Sequence, residues 1–182
     1  MKRIFTTLAI TAALGLTVSF ALGCWSRWGG DRSVNLYLLH FLFGLFASIG
    51  TIAVHCVVFT YLMGTGRTIR EVTLAYKLPD EPLYRRVRDL KRETHPWLIG
   101  ACLLTIAAAA AGMGKQIRDW PWQIHFVLAI ATLIVNYIVF RLEYRKICIN
   151  EATITEMMVE VDRVRAEHGL PPNAVALAEE SV

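Results

Sequence analysis

The chain has 182 residues, of which 55% are hydrophobic, and it carries a formal net charge of +4 at pH 7. A mean hydropathy of +0.44 excludes an ordinary soluble domain of this size, because such domains contain fewer apolar residues. Soluble enzyme chemistry finds no support either, since the sequence shows no nucleophile triad, zincin helix, dinucleotide loop or paired-carboxylate pattern.

Four segments are apolar enough to cross a membrane as helices. A hydrocarbon core about 30 Å thick requires roughly 20 apolar residues of helix. The runs are too long and too rich in Ala and Leu for strands. We predict an all-α integral membrane protein, with four transmembrane helices in a bundle (domain 1–141) and cytoplasmic amphipathic helices. The predicted spans are residues 4–23, 34–63, 97–114 and 122–140, none of which contains Asp, Glu, Lys or Arg.

The basic residues fall mainly on one side of these spans. Fifteen of the 19 lie before the first span, between the second and third spans, or after the fourth, and the other four lie in the remaining connections. Because cytoplasmic segments carry the excess of Lys and Arg, both termini and the 64–96 connection should be cytoplasmic. Membrane topology accounts for the net positive charge, so the charge does not require nucleic acid as a partner. We expect a bacterial inner membrane, with the lipid bilayer as the immediate partner.

The first span has a second interpretation. Lys2 and Arg3 precede an apolar run that ends in ALGC at 21–24, a pattern also found in secretory and lipoprotein signals. Leu22 fits a lipoprotein cleavage site poorly, and a run of about 20 residues exceeds the usual apolar region of a signal. We predict a retained helix, with cleavage as the alternative. The second span enters from the outside in either case.

The second span contains two histidines, His40 and His55, within the stretch HFLFGLFASIGTIAVH. On a helix that turns about 100° and rises about 1.5 Å per residue, they share one face and lie about 22 Å apart along the axis. A stripe of small residues allows a close approach by another helix or by a flat ligand. The small and polar residues on this side are Gly44, Ala47, Ser48 and Thr51.

The first half of the 64–96 connection predicts a helix end and a new helix. GTGR at 64–67 is interpreted as the end of the second span and a turn. Thr68 and Glu71 form a capping box, from which a short amphipathic helix would run to about Leu78.

The second half of this connection predicts another amphipathic helix. Pro79 and Pro82 frame a turn, and LYRRVRDLKRE then surrounds an apolar stripe with basic residues. Such a helix suits the lipid headgroups, although a solvated helix would have the same pattern. Pro96 predicts that the next helix begins there.

The fourth span repeats part of the second. The His-Phe pair at 125–126 matches the pair at 40–41 in its place just after an outer connection, with a shift of 85 residues. With the same shift, Gly44 corresponds to Ala129. The match suggests a duplicated helical hairpin, in which spans one and two are repeated as three and four.

Histidines at equal depth on facing helices predict a cofactor site. If the second and fourth helices face each other, His40 and His125 form a bis-histidine pocket, and Gly44 and Ala129 would leave clearance for a ligand. Imidazole is a usual axial ligand of haem iron, and bundle cores build cofactor sites from facing helices. With His55, these residues resemble, as a class, those of the membrane b-type cytochromes. The resemblance implies haem b and electron transfer, with other membrane redox subunits or quinone as partners.

An inner haem would need a partner for His55, and the remaining membrane-proximal candidate is His95. The two depths agree poorly, because His55 lies about 12 Å inside its span and His95 lies at the start of the third span. The inner pair is therefore the weaker prediction. A structural role, with His55 hydrogen-bonded to Ser, Thr or Asn, stays open. A quinone, proton or metal site is the other alternative, although no predicted span supplies a carboxylate.

Residues 142–182 are predicted as a cytoplasmic helix followed by a disordered tail. Gly169 and the two prolines after it stop the helix. An apolar face on this helix needs a partner, either the 68–94 helices or another subunit in a homo- or hetero-oligomer. This need supports a second function hypothesis, a cofactor-free membrane scaffold or assembly protein that recruits a partner. That face carries Ile154, Met158, Val161 and Val164.

Overall fold

The computed structural model describes residues 1–29, 34–78 and 80–180, and no strand occurs in this part of the chain. Four of the helices are long and apolar enough to cross a membrane. This confirms the prediction of an all-α chain with four such helices. Residues 30–33 of the predicted outer connection at 24–33, the turn residue Pro79 and the last two residues lie outside the described part, whereas α1 includes 24–28. The helices are α1 Lys2–Trp28, α2 Val34–Ala75, α3 Asp80–Arg118, α4 Trp122–Glu167 and α5 Asn173–Glu180.

The chain divides into two compact units. The first comprises Met1–Phe59 with Thr94–Tyr144, and the second comprises Thr60–Glu93 with Arg145–Val182. In the first unit, large apolar side chains point outward, as Phe46 shows with 69% of its surface exposed. Small and polar side chains fill the interior and allow close helix packing, which suits a bundle surrounded by lipid. The buried small and polar residues include Ala9, Ala12, Ser19, Ala47, Thr51, Ala101, Thr105, Ala108, Thr132 and Asn136.

The second unit has an ordinary hydrophobic core. The apolar face predicted on the last long helix packs against the helical segments between Thr60 and Glu93. Ion pairs lie around this core, for example Arg86 with Glu156 at 2.6 Å. In this unit, apolar residues lie inside and charged residues lie outside. The core residues are Ile69, Leu78, Leu83, Val87, Met157 and Val161.

The predicted helix end at GTGR was wrong, because α2 continues without a break to Ala75. Thr68 does not cap a helix; its hydroxyl donates to the carbonyl of Gly64 at 3.2 Å. Packing overrides the local signals here. Gly66 lies so close to α3 that a Cβ at this position would be 3.1 Å from Val87 Cγ1. The glycine therefore permits helix contact and does not end the helix.

The predicted helix start at Pro96 was also wrong, since Pro96 lies inside α3. Proline cannot donate the hydrogen bond of an interior helix residue. The helix continues because residues on both sides of Pro96 are packed in the bundle, with Thr94 fully buried and Leu98 only 2% exposed.

The actual ends of α2 and α4 are closed by residues in the left-handed region. Lys77 has a φ of 50°, and Gly169 has a φ of 71°. After each helix, the next N–H reaches back to a carbonyl five residues earlier: Leu78 to Thr73 and Leu170 to Arg165, both at 2.9 Å. The predicted stop at Gly169 is therefore confirmed. The short helix α5 follows, where the sequence predicted a disordered tail.

Candidate functional site

His40 on α2 and His125 on α4 lie side by side in the first unit. Their ring centroids are 6.1 Å apart and their planes make an angle of 69°. Both residues are half-buried. The structure thus brings together the two histidines that the repeat in the sequence related.

Each of the two rings is fixed by the helix that precedes it in the chain. The Nδ1–H of His40 donates to the carbonyl of Ser19 at 2.9 Å, and the Nδ1–H of His125 donates to the carbonyl of Ala108 at 2.9 Å. Since a carbonyl only accepts, Nδ1 carries the hydrogen in both rings. Neutral rings then present Nε2 as a lone pair. Within the described residues, neither Nε2 makes a hydrogen bond.

A glycine makes each of these hydrogen bonds sterically possible. Gly23 and Gly112 stand four residues after the accepting carbonyls, and in an α-helix a carbonyl points toward the residue four positions later. A Cβ would lie 2.8 Å from His40 Cε1 at Gly23 and 3.1 Å from His125 Cε1 at Gly112. The missing side chain leaves the carbonyl open to the ring. The sequence analysis did not single out these glycines. The signal was a Gly near the end of the helix that precedes each histidine, at Gly23 and Gly112.

The two histidines therefore sit in equivalent half-sites, each made of a carbonyl, a glycine four residues later and a histidine on the next helix. The carbonyl and glycine of the first half-site recur 89 residues later, and the histidine recurs 85 residues later. The half-sites come from α1 with α2 and from α3 with α4, as the duplicated-hairpin hypothesis expects.

The clearance predicted beside the histidines is only partly available. A Cβ at Gly44 would lie 3.1 Å from the Ser19 hydroxyl, so α1 occupies this side of α2. The prediction that Gly44 provides space for a ligand is corrected, because its small size admits a helix. Ala129 is half-buried in α4.

His55 lies in a separate cluster of polar groups inside the same unit. Its Nδ1 is 2.7 Å from Oε1 of Glu143, and its Nε2–H donates to Oδ1 of Asn136 at 2.8 Å. Only 1% of His55 is exposed, and Glu143 is completely buried. The amide of Asn136 donates in turn to the Thr105 hydroxyl at 3.2 Å and to the Thr132 carbonyl at 2.8 Å.

These hydrogen bonds determine where the protons of the cluster are. Because the Asn136 nitrogen donates to Thr105 and Thr132, its oxygen must face His55, and Nε2 of His55 must carry a hydrogen. One further proton lies between Nδ1 and Glu143. The pair is therefore either an imidazolium with a carboxylate or a neutral imidazole with a carboxylic acid, and it is neutral overall in both forms.

The structure does not bring His55 and His95 together as a ligand pair. Both nitrogens of His55 are occupied by Glu143 and Asn136. His95 packs instead against Phe59, one helical turn beyond His55, with ring centroids 4.6 Å apart. An iron at His55 would have to displace one of these hydrogen bonds, and the inner haem pair stays a prediction.

Glu143 is the residue that the sequence analysis missed. The predicted fourth span stopped at Phe140, and no carboxylate was assigned to the bundle interior. A spacing of seven residues, or two turns, places Glu143 on the same face of α4 as Asn136. Continuing this polar stripe beyond the apolar run would have indicated Glu143.

No cluster of three or more His, Cys, Asp or Glu side chains suited to a metal ion occurs within the described ranges. A metal at His40 and His125 would thus need ligands beyond those the two histidines supply. Comparison with protein-family models, with curated proteins and with solved structures found no match.

Proposed function

We propose that this chain is an electron-transfer subunit of a bacterial inner-membrane redox complex, holding one haem b between His40 and His125. The observation that carries the proposal is the pair of half-sites, which hold two neighbouring imidazoles whose Nε2 atoms make no hydrogen bond to the described residues. Both termini would face the cytoplasm, in agreement with the distribution of Lys and Arg. Electrons would pass to or from other membrane redox subunits or quinone, and the chain would have no catalytic activity of its own.

The donor set fits haem iron. His40 and His125 would hold the iron through their imidazoles, which are usual ligands of haem iron. The ring centroids of His40 and His125 are 6.1 Å apart. Rings that merely pack lie about 4.5–7 Å apart, so this distance alone does not require the site. The Nδ1–H bonds to backbone carbonyls favour it, because such bonds orient metal-binding histidines and increase their basicity.

The chain's own residues would position the group and shield it. A bound haem would supply one-electron chemistry at its iron. The Ser19 and Ala108 carbonyls hold the two rings, and aromatic side chains gather beside His125 at the same end of the bundle. Trp28 meets Phe126 at 5.3 Å and Trp122 at 5.7 Å between ring centroids. These rings would limit access of water to the histidines.

The test is an optical spectrum of the full chain purified after expression with added haem precursor. We expect reduced-minus-oxidised haem bands that disappear in His40→Ala and in His125→Ala. His168→Ala is the matched control, because His168 is exposed and lies outside both clusters. Colourless parent protein, or bands that survive both substitutions, would contradict the proposal.

A second function, a cofactor-free scaffold, is favoured by the apolar core of the second unit. That core is built from two separate parts of the chain, between Thr60 and Glu93 and after Arg145. A protein that stayed colourless but co-purified with a defined partner through these helices would support the scaffold.

A further inference from the structure

On the Asn136 side of His55, every donor in the polar cluster has an acceptor. The His55 Nε2–H donates to Asn136, the Asn136 amide donates to Thr105, and the Thr105 hydroxyl donates to the Ala101 carbonyl at 2.8 Å. Every hydrogen in this series has a partner, and the series ends at a backbone carbonyl. A further proton has no acceptor along this route.

The opposite side of the cluster contains an acceptor without a donor. Oε2 of Glu143 is buried and has no hydrogen-bond partner among the described residues. Such a group costs about 1–3 kcal/mol when left unsatisfied, more if it is charged. Ionisable groups inside membrane spans are retained for function more often than by chance. Oε2 of Glu143 can therefore accept a hydrogen bond or bind a proton.

Glu143 is also close to the charged part of α4. Arg141 and Tyr144 flank it in the sequence, and both are exposed. The buried carboxyl therefore lies at the end of the apolar run of α4, next to exposed residues in the sequence.

We propose that His55 and Glu143 form a proton-binding site that takes up one proton from water at Oε2 of Glu143. Uptake converts the neutral pair into an imidazolium beside a carboxylic acid, with a net charge of +1, and release returns the proton to water. Asn136 holds the ring so that Nδ1 faces the carboxyl in both states. The site is independent of haem at His40 and His125.

The other titratable groups that act on this pair are thiols. Cys102 on α3 interacts electrostatically with Glu143 and with Cys56 on α2. An ordinary thiol is neutral at and below pH 7, so it adds no charge to the pair in the acid half of the titration. Proton uptake is then governed by His55 and Glu143 themselves.

The test is the infrared difference spectrum of the full chain in lipid vesicles between about pH 5 and pH 9, a range that brackets the usual histidine titration. We expect lowering the pH to give a difference signal in the C=O stretch of the protonated carboxyl. The signal is a new band if the pair starts as imidazolium with carboxylate, and a shifted band if it starts as imidazole with carboxylic acid. It should be absent in Glu143→Gln, which keeps the shape and a hydrogen bond to His55. It should persist in the matched control Glu71→Gln, whose carboxyl is exposed and pairs with Arg67 at 2.8 Å.

Identical spectra for Glu143→Gln and the parent would overturn the proposal. If Glu143→Gln does not give a helical protein, the parent chain labelled with ¹³C in its glutamate carboxyls decides alone. A protonated carboxyl band that changes between about pH 6 and pH 9, above the ordinary glutamate titration at about pH 4.3, supports the site, and no such band refutes it. Neither result depends on haem, so failure of the proposed function would leave this test intact.

Discussion

The losses of stability caused by removing His55 and Glu143 one at a time should together exceed the loss caused by removing both. His55→Leu leaves Oε1 of Glu143 and Oδ1 of Asn136 without a donor. Glu143→Leu leaves only Nδ1 of His55 unpaired. With both substitutions, only the Asn136 oxygen is unpaired. Because an orphaned buried group costs about 1–3 kcal/mol, the losses are not expected to add.

The size of this coupling follows from the count of orphaned groups. At about 2 kcal/mol for each group, the loss of unfolding free energy is about 4 kcal/mol for His55→Leu. It is close to zero for Glu143→Leu and for the double variant, because each of these also removes the unsatisfied Oε2 of Glu143. The single losses together then exceed the double loss by about 4 kcal/mol. Hydrogen bonds measured in membranes average about 0.6 kcal/mol, because the unfolded chain also finds partners there. We therefore expect a coupling energy between about 1 and 4 kcal/mol.

The assay is reversible unfolding of the purified chains in mixed detergent and SDS micelles, followed by far-ultraviolet circular dichroism. The control cycle combines His55→Leu with Met157→Ala, whose site belongs to the core of the second unit. Those two losses should add to within about 0.5 kcal/mol. A coupling of less than about 0.5 kcal/mol between His55 and Glu143 would refute the assignment of their hydrogen bond.

Two further predictions concern packing. Gly23→Ala should displace the His40 ring and lower the unfolding free energy by about 1–3 kcal/mol. Gly50→Ala should not, because a Cβ at that position meets nothing within 4 Å. Equal melting temperatures for the two variants would count against the half-site geometry. Met157→Ala should cost about 2–5 kcal/mol through loss of core packing, and Val159→Ala, at a position 63% exposed, less than about 1 kcal/mol; chemical denaturation of the two variants compares these losses.

The sequence predicted the long helices and the neighbouring histidines because both depend on patterns that survive without tertiary detail. An apolar run of membrane length has few alternatives to a helix. The place of His40 and His125 just after an outer connection, six and three residues from the starts of their helices, indicated nearly equal depth. The partners of the rings were not predictable in this way, since a backbone carbonyl has no sequence signature unless the glycine that uncovers it is recognised.

The two wrong helix boundaries, at GTGR and at Pro96, have the same physical cause: tertiary packing overrides the local preference of the residue. The glycines at 64 and 66 and Pro96 are unfavourable inside isolated helices, by about 1 kcal/mol for Gly and about 3 kcal/mol for Pro. Burial of neighbouring side chains offsets these costs, as complete burial of Ile69 illustrates. Glu143 was missed for the opposite reason, because a criterion that excludes charge cannot find a buried acid that is neutralised by its partner.

The half-sites tolerate different lengths in the connections that precede their histidines. Gly23 and His40 are 17 positions apart, whereas Gly112 and His125 are 13 apart, yet each glycine meets the Cε1 atom of its ring. Three of these four positions lie between the start of the second helix of each hairpin and its histidine, because His40 is six residues after Val34 and His125 is three residues after Trp122. Contact between the helices therefore determines the position of each ring, and the number of residues between glycine and histidine does not.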